Sequence, residues 1–181
     1  MQFAKWVARA AQGDLGISIA TGRPVNSELA RAISNTFVLA FFACTFGFTL
    51  GLALGFVAGY FNGTWLDKLV TSCAVAGVSV PHYWLGMVLV IIFSVFLNWL
   101  PATGMGTTGS GDWAWDWEHI RFVILPAVTL SVIPTAIITR TVRALVSDIL
   151  SREFVSALIA KGLSDAGVFW HETWLGLDPD D

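Results

Sequence analysis

"TFVLAFFACTFGFTLGLALGFVAGYF", residues Thr36 to Phe61, carries no charged side chain. Wound as a helix, these 26 residues reach about 39 Å at 1.5 Å per residue, more than the roughly 30 Å of a bilayer's hydrocarbon core. The stretch therefore predicts a membrane-spanning helix. Its glycines Gly47, Gly51, Gly55 and Gly59 recur every fourth residue and so share one helix face. Small residues in that register let a second helix approach backbone to backbone, which predicts a packing face and neighbouring helices.

Outward from this run, Leu69 to Leu100 is also apolar but too long for one straight crossing, and "SVPHYW" interrupts it at Pro81. Proline lacks a backbone donor and disfavours helix in the residue before it, so a break is expected near Ser79 to Pro81. The reading is a short helix from about Trp65 to Val78 and a span from about His82 to Trp99. Irregular backbone at membrane depth is tolerated where protein buries it or where it lines a wet cavity. Ser79, Pro81 and Tyr83 are thus candidates for a translocation path, with a plain kink as the alternative.

A third apolar stretch, Phe122 to Thr139, lies between Arg121 and Arg140, whose long side chains can snorkel to the interfaces. Pro126 stands near its start, and Pro134 inside it predicts a bend. Trp99, Trp113, Trp115 and Trp117 mark the preceding loop as resting at headgroup depth. Lys68, Arg140, Arg143, Arg152 and Lys161 on one side balance Lys5, Arg9, Arg23, Arg31 and Arg121 on the other, so basic-residue bias does not orient the chain.

Composition agrees with a membrane protein: 55% of residues are apolar and 13% charged, and the mean hydropathy is positive. The net charge of -3 without a dense basic cluster excludes nucleic acid as an expected partner. Cys44 and Cys73 sit in apolar runs without metal-ligand spacing and read as small core residues, and no metal site is expected. The N-terminal "MQFAKWVARAAQGD" does not read as a secretory signal.

After the third run, "REFVSALIAKGLSDAG" (Arg152 to Gly167) is too charged to insert. Five charges from Arg143 to Lys161, at about 2.5–3.5 kcal/mol each, outweigh eight large apolar residues by about 10 kcal/mol. Leu145, Val146, Ile149, Leu150, Phe154, Ala157 and Leu158 nevertheless keep helical spacing, and Asp148 with Arg152 forms a candidate ion pair one turn apart. Ser151 can cap a separate short helix carrying Glu153 in its first turn, and Lys161 followed by Gly162 gives it a favourable end. The third span is accordingly expected to run to about Leu150, followed by an amphipathic helix of some ten residues.

This segment resembles the cytoplasmic EAA loop of the permease subunits of ATP-binding-cassette importers, in the dipeptide, oligopeptide and nickel branch. Glu153, Phe154, Val155, Ala157, Ala160, Lys161, Gly162, Leu163 and Ser164 stand in that loop's register, with Leu158 where relatives often carry Ala. "GDLGISIATGRPV" (Gly13 to Val25), "SNTFVLA" (from Ser34), "SVPHYWLG" (from Ser79), "LPATG" (from Leu100) and "ILPAVTL" (from Ile124) resemble further pieces of the branch, in the same order. The resemblance covers about Trp6 to Val168.

It implies an all-α, multi-span transmembrane bundle like the importer permease core, with about three spans plus a coupling helix. The expected organisation is an external amphipathic segment over 1–34, a transmembrane region over 35–150, a cytoplasmic coupling loop over 151–168 and a divergent tail over 169–181. The transmembrane region divides into spans at about 36–61, 69–100 with its break near 79–81, and 122–150. The resemblance further implies a bacterial inner-membrane location, Met1 to Asn35 outside, and Arg140 to Val168 in the cytoplasm. Relatives place another span before Gly13 and, after the loop, an Ile-x-Leu-Pro signature and two more spans. This chain has Glu172, Trp174 and Leu175 and then "GLDPDD", so it is expected to be a fragment truncated at both ends and inactive in transport alone.

The implied function is import of di- or oligopeptides, nickel or a related ligand, with the Ser151 to Gly162 helix carrying ATPase motion to the spans. Implied partners are ATPase subunits, a second homologous permease subunit, an extracytoplasmic substrate-binding protein and membrane lipid. No G-x-x-x-x-G-K-[ST] loop occurs, so no cofactor is expected on this chain, and ATP with Mg²⁺ belongs to partner subunits. The chain is not expected to be an enzyme. The alternatives are a membrane-embedded enzyme using His82, His119 or His171, for which no companion motif occurs, and a small adaptor oligomerising through Gly47 to Gly59.

Overall fold

The computed structural model describes residues 2–106 and 113–151, and these are helical with short connections. Helix α1 spans Gln2–Ala10, with Phe3 and Trp6 stacked on each other and Lys5 and Arg9 between the apolar positions. A turn region follows, in which Gly16 and Gly22 have positive φ, the conformation glycine adopts without a Cβ clash. The Asn26 amide pins this region by accepting the Leu15 N–H at 3.1 Å and donating to the Gly13 carbonyl.

Helix α2, Val25–Tyr60, begins eleven residues before Thr36, where the apolar run starts. Pro24 immediately precedes it, and Ser27 donates its hydroxyl to the Pro24 carbonyl at 2.8 Å. Glu28 lies in the first turn, where a negative charge favours the helix dipole, and pairs with Arg23 at 3.4 Å and Arg31 at 3.6 Å. Hydropathy marks only the lipid-compatible part of such a helix, which is why the sequence reading placed 25–34 in a separate segment. The turn to helix α3, Trp65–Ser79, passes through Gly63 at φ 78°.

Helix α3 ends where proline requires it. Val80 (φ −85°, ψ 127°) and Pro81 (φ −61°, ψ 131°) are extended, and helix α4, His82–Val90, starts directly after them. Helix α4 runs on as a π-helical segment, Ile91–Phe96, which the sequence reading did not anticipate. The Leu97 amide donates to the Ile92 carbonyl five residues back at 3.0 Å, and the amides of Trp99 and Leu100 converge on the Phe93 carbonyl. Asn98 then takes a left-handed conformation (φ 51°), one of the few non-glycine types that does so readily.

Helix α5, Trp117–Ser151, is a single 35-residue helix that passes through both Pro126 and Pro134. Among the described residues, it and α2 are long and apolar enough to cross a membrane, and the broken pair Trp65–Ser79 and His82–Phe96, taken as one, makes up to three candidate spans.

The described residues fall into two compact units, one drawn from 2–45 and 81–131 and the other from 46–80 and 132–151. In the first, Val123, Leu125 and Ala127 are buried; in the second, Ala58, Ala136 and Val146 are. Large apolar side chains such as Phe37, Phe48, Leu52, Trp84 and Phe96 point outward. Lipid is as apolar as they are, so a membrane helix gains little by hiding them. The same physics corrects the reading of Cys44 and Cys73, which are free and exposed rather than core.

Candidate functional site

The residues expected to form the coupling helix, Glu153, Phe154, Val155, Ala157, Leu158, Ala160, Lys161 and Gly162, lie outside the described residues, as do the tail, His171 and Arg152 of the Asp148 pair. The structure describes the helix that leads to them. Ser151 closes α5 and donates its hydroxyl to the Asp148 carbonyl at 2.9 Å.

Within the second unit, the glycine face of α2 lies directly against α5. A Cβ added at Gly51 would stand 2.8 Å from Ile138 Cβ; at Gly55, 2.7 Å from Val142 Cβ; at Gly59, 2.7 Å from Val146 Cβ. The α5 carbonyls of Thr135, Thr139 and Arg143 lie 2.8–3.1 Å from the same points, so an added side chain has no room unless the helices shift. The contact repeats every four residues on both helices, as ridges of i±4 rows do when they interlock. Thr139, almost fully buried, directs its hydroxyl back to the Gly51 carbonyl at 3.4 Å. Gly47 is also buried.

The same unit holds a charged cluster that the sequence reading missed. Asp67, in the first turn of α3, is 3% exposed. Its carboxylate receives the Arg143 guanidinium at two points, Nε to Oδ1 and Nη2 to Oδ2, the latter at 2.8 Å. It also accepts the Gly63 N–H at 3.0 Å and the Thr71 hydroxyl at 3.3 Å. Arg143 continues to the Asn62 side-chain oxygen, Oδ1, at 3.1 Å, and the Asn62 side-chain NH₂ donates to the Ser147 hydroxyl at 2.6 Å. A carboxylate removed from water is tolerable when its lone pairs are taken up in this way. One signal was available: Asp67 is the sole acidic residue between Glu28 and Asp112, flanked by apolar runs, where an ionisable group implies a partner.

In the first unit, Tyr83 lines an open cleft of about 600 Å³ together with His82, Met87, Thr103, Phe122 and Thr129. Pro81 takes the residue position before α4, and Ser79 turns its hydroxyl onto the Val75 carbonyl at 2.9 Å. Trp113 and Trp115 pack edge-on against each other, and both contact the Phe42 ring. Trp115, like Trp99 and Trp117, is nevertheless exposed. Asp116 accepts the His119 amide at 2.8 Å, capping the start of α5, and meets the His119 ring nitrogen at 2.7 Å. These bonds hold the Asp116 carboxyl below its ordinary range, the amide bond contributing most. Among the described residues, no three His, Cys, Asp or Glu side chains gather as a metal site would require.

Three comparisons bear on this arrangement. Residues 51–174 match the family of binding-protein-dependent transport system inner membrane components. The chain is 36% identical over 176 residues to the glutathione transport system permease protein GsiC of Escherichia coli O6:H1, covering 97% of this chain and 51% of that protein. It is 32% identical over 186 residues to the dipeptide transport system permease protein DppB of Alkalihalophilus pseudofirmus, covering 94% of this chain and 56% of that protein. The chain thus spans about half the length of these relatives. The family is described as inner membrane components of transport systems, and both relatives are named as permease proteins of such systems. With most of its length inside the family match and two of its described helices long and apolar enough to span a bilayer, the chain belongs to the binding-protein-dependent transport system inner membrane components.

Proposed function

We propose that the chain acts as a permease subunit of an ATP-driven importer that moves di- or oligopeptides, or a related small ligand, across the bacterial inner membrane. The observation that carries this reading is the family match over 51–174, supported by relatives whose names specify glutathione and dipeptide transport. Nickel, the other ligand class of the branch, has no counterpart among these names.

The partners in this reading are ATPase subunits that hold ATP and Mg²⁺, a second homologous permease subunit, and an extracytoplasmic substrate-binding protein. The Ser151 to Gly162 segment is the handle on which the ATPase acts. A handle transmits force only when it is continuous with a stiff element, because ATP-driven closure is useful only if it biases two arrangements of the spans. Helix α5 supports this role. It runs unbroken for 35 residues to Ser151 and locks against the glycine face of α2.

Co-expression with the cognate ATPase pair tests the proposal. Gly162→Pro and Lys161→Glu are each expected to abolish membrane recruitment of the ATPase while the chain itself stays membrane-inserted. Unchanged recruitment in both variants removes the coupling role.

A further inference from the structure

We infer that Asp67 is a positioning residue for force transmission: with Arg143 it clasps the α2–α3 turn to α5, so that α3 follows any displacement of α5. This deepens the proposed function and rests on it, since the displacement is delivered at the end of α5.

The argument starts from what a turn does mechanically. Residues 61–64 between α2 and α3 include Gly63 at positive φ, and such a connection alone would let α3 swing independently of its neighbours. The cluster removes that freedom. Arg143 reaches Asp67 through a two-point bond, which fixes orientation as well as distance in a way one ammonium contact does not. The same guanidinium takes the Asn62 side chain, so one α5 residue holds both the turn and the first turn of α3. Asn62 in turn reaches Ser147, one helical turn further along α5. The hydrogen bonds from Gly63 and Thr71 orient the Asp67 carboxylate on its own side of the turn.

Arg143 and Ser147 lie eight and four residues before Ser151, within the last turns of α5. The clasp therefore sits at the end of α5 that leads into the proposed handle. On α3, Asp67 lies in the first turn and Ser79 at the last residue, immediately before the Val80–Pro81 break. Tying the first turn of α3 to α5 makes this short helix the lever through which motion at the handle reaches the break.

Cys73, exposed on α3, is a native reporter of this motion. In membranes carrying the Cys44→Ser chain and the cognate ATPase pair, the rate of Cys73 modification by N-ethylmaleimide is measured by peptide mass. It is compared with and without ATP plus vanadate. The parent is expected to show a nucleotide-dependent change in rate. Asp67→Asn should abolish the change with ATPase recruitment retained, and Arg143→Lys, which keeps the charge but not the two-point bond, should reduce it. In the Asp67→Asn background, the pair Asn62→Cys and Ser147→Cys replaces side chains that already meet at 2.6 Å. Oxidation of the two introduced thiols should restore the change, and dithiothreitol should remove it again. Absence of a nucleotide effect in the parent, full persistence in Asp67→Asn or Arg143→Lys, or failure of the disulfide to rescue each overturns the inference. Should Asp67→Asn not accumulate, Arg143→Lys and the disulfide in its background decide the matter. Loss of the coupling reading shows separately, as unchanged ATPase recruitment in both Gly162→Pro and Lys161→Glu.

Discussion

Arg143 of α5 grips Asp67 of α3 from 76 positions further along the chain, through two separate nitrogens, at a carboxylate that is almost entirely withdrawn from solvent. Breaking such a pair from one side leaves a buried charge without its counter-charge. Arg143→Leu, which strands the buried Asp67 carboxylate, is therefore expected to destabilise the chain by about 3–5 kcal/mol, and Asp67→Ala by less, because the Arg143 guanidinium it leaves behind is 31% exposed. The double variant Asp67→Ala/Arg143→Leu should lose clearly less than the sum of the two single variants, since no charge then remains buried. Thermal unfolding of the four proteins in lipid nanodiscs reads the difference, and additive losses in the double variant would show that the two residues do not interact.

The α2–α5 contact makes a second prediction. Gly55→Leu places a side chain where Val142 and the Thr139 carbonyl already stand, so the helices must separate. Overpacking of this kind costs about 1–3 kcal/mol. Gly86→Ala is the control, because its added carbon would meet Thr129 Cγ2 at 3.4 Å, an ordinary contact. A lowered melting temperature in Gly55→Leu with none in Gly86→Ala is the expected pattern in detergent.

The Asp116 cap gives a pH dependence with a definite sign. Its carboxyl is held below the ordinary value of 3.8 by the His119 amide, so the folded state favours the ionised form. The stabilisation is fully present above 3.8 and is lost as pH falls through the lowered folded-state value. Asp116→Asn retains an accepting oxygen but removes the charge. It should flatten the acid limb of the stability curve below about pH 4, measured as melting temperature against pH.

Arg121 donates to the Trp99 carbonyl at 2.6 Å and so ties the end of the π-helical segment to the first turns of α5. A hydrogen bond from a charged donor contributes about 1.5–3 kcal/mol, so Arg121→Met should speed amide exchange at Trp99 and Leu100 about tenfold or more. Unchanged exchange there would mean that the Phe93 carbonyl alone holds the segment.

Much of the architecture was legible because it is encoded locally. The charge-free run from Thr36 marks a helix that has to satisfy its own backbone in lipid, and Pro81 removes a donor wherever the chain goes, so the break between Ser79 and His82 needs no tertiary information. Helix ends were less legible. The Val25 to Asn35 extension of α2 is amphipathic and polar, and hydropathy does not register it. The π-helical segment after Val90 arises from hydrogen bonds shifted by one residue, for which "IIFSVF" carries no distinctive composition.

The sequence by itself determined that the chain is a membrane protein, that one run is broken at a proline and that one helix offers a glycine face, because each follows from the chemistry of residues close together in the chain. Only the tertiary structure decided that this face meets Ile138, Val142 and Val146, and that Asp67 answers to Arg143. Periodicity states which side of a helix is small or charged but carries no record of what lies opposite. That choice is made when helices far apart in sequence compete to bury the same small residues and to neutralise the same charge.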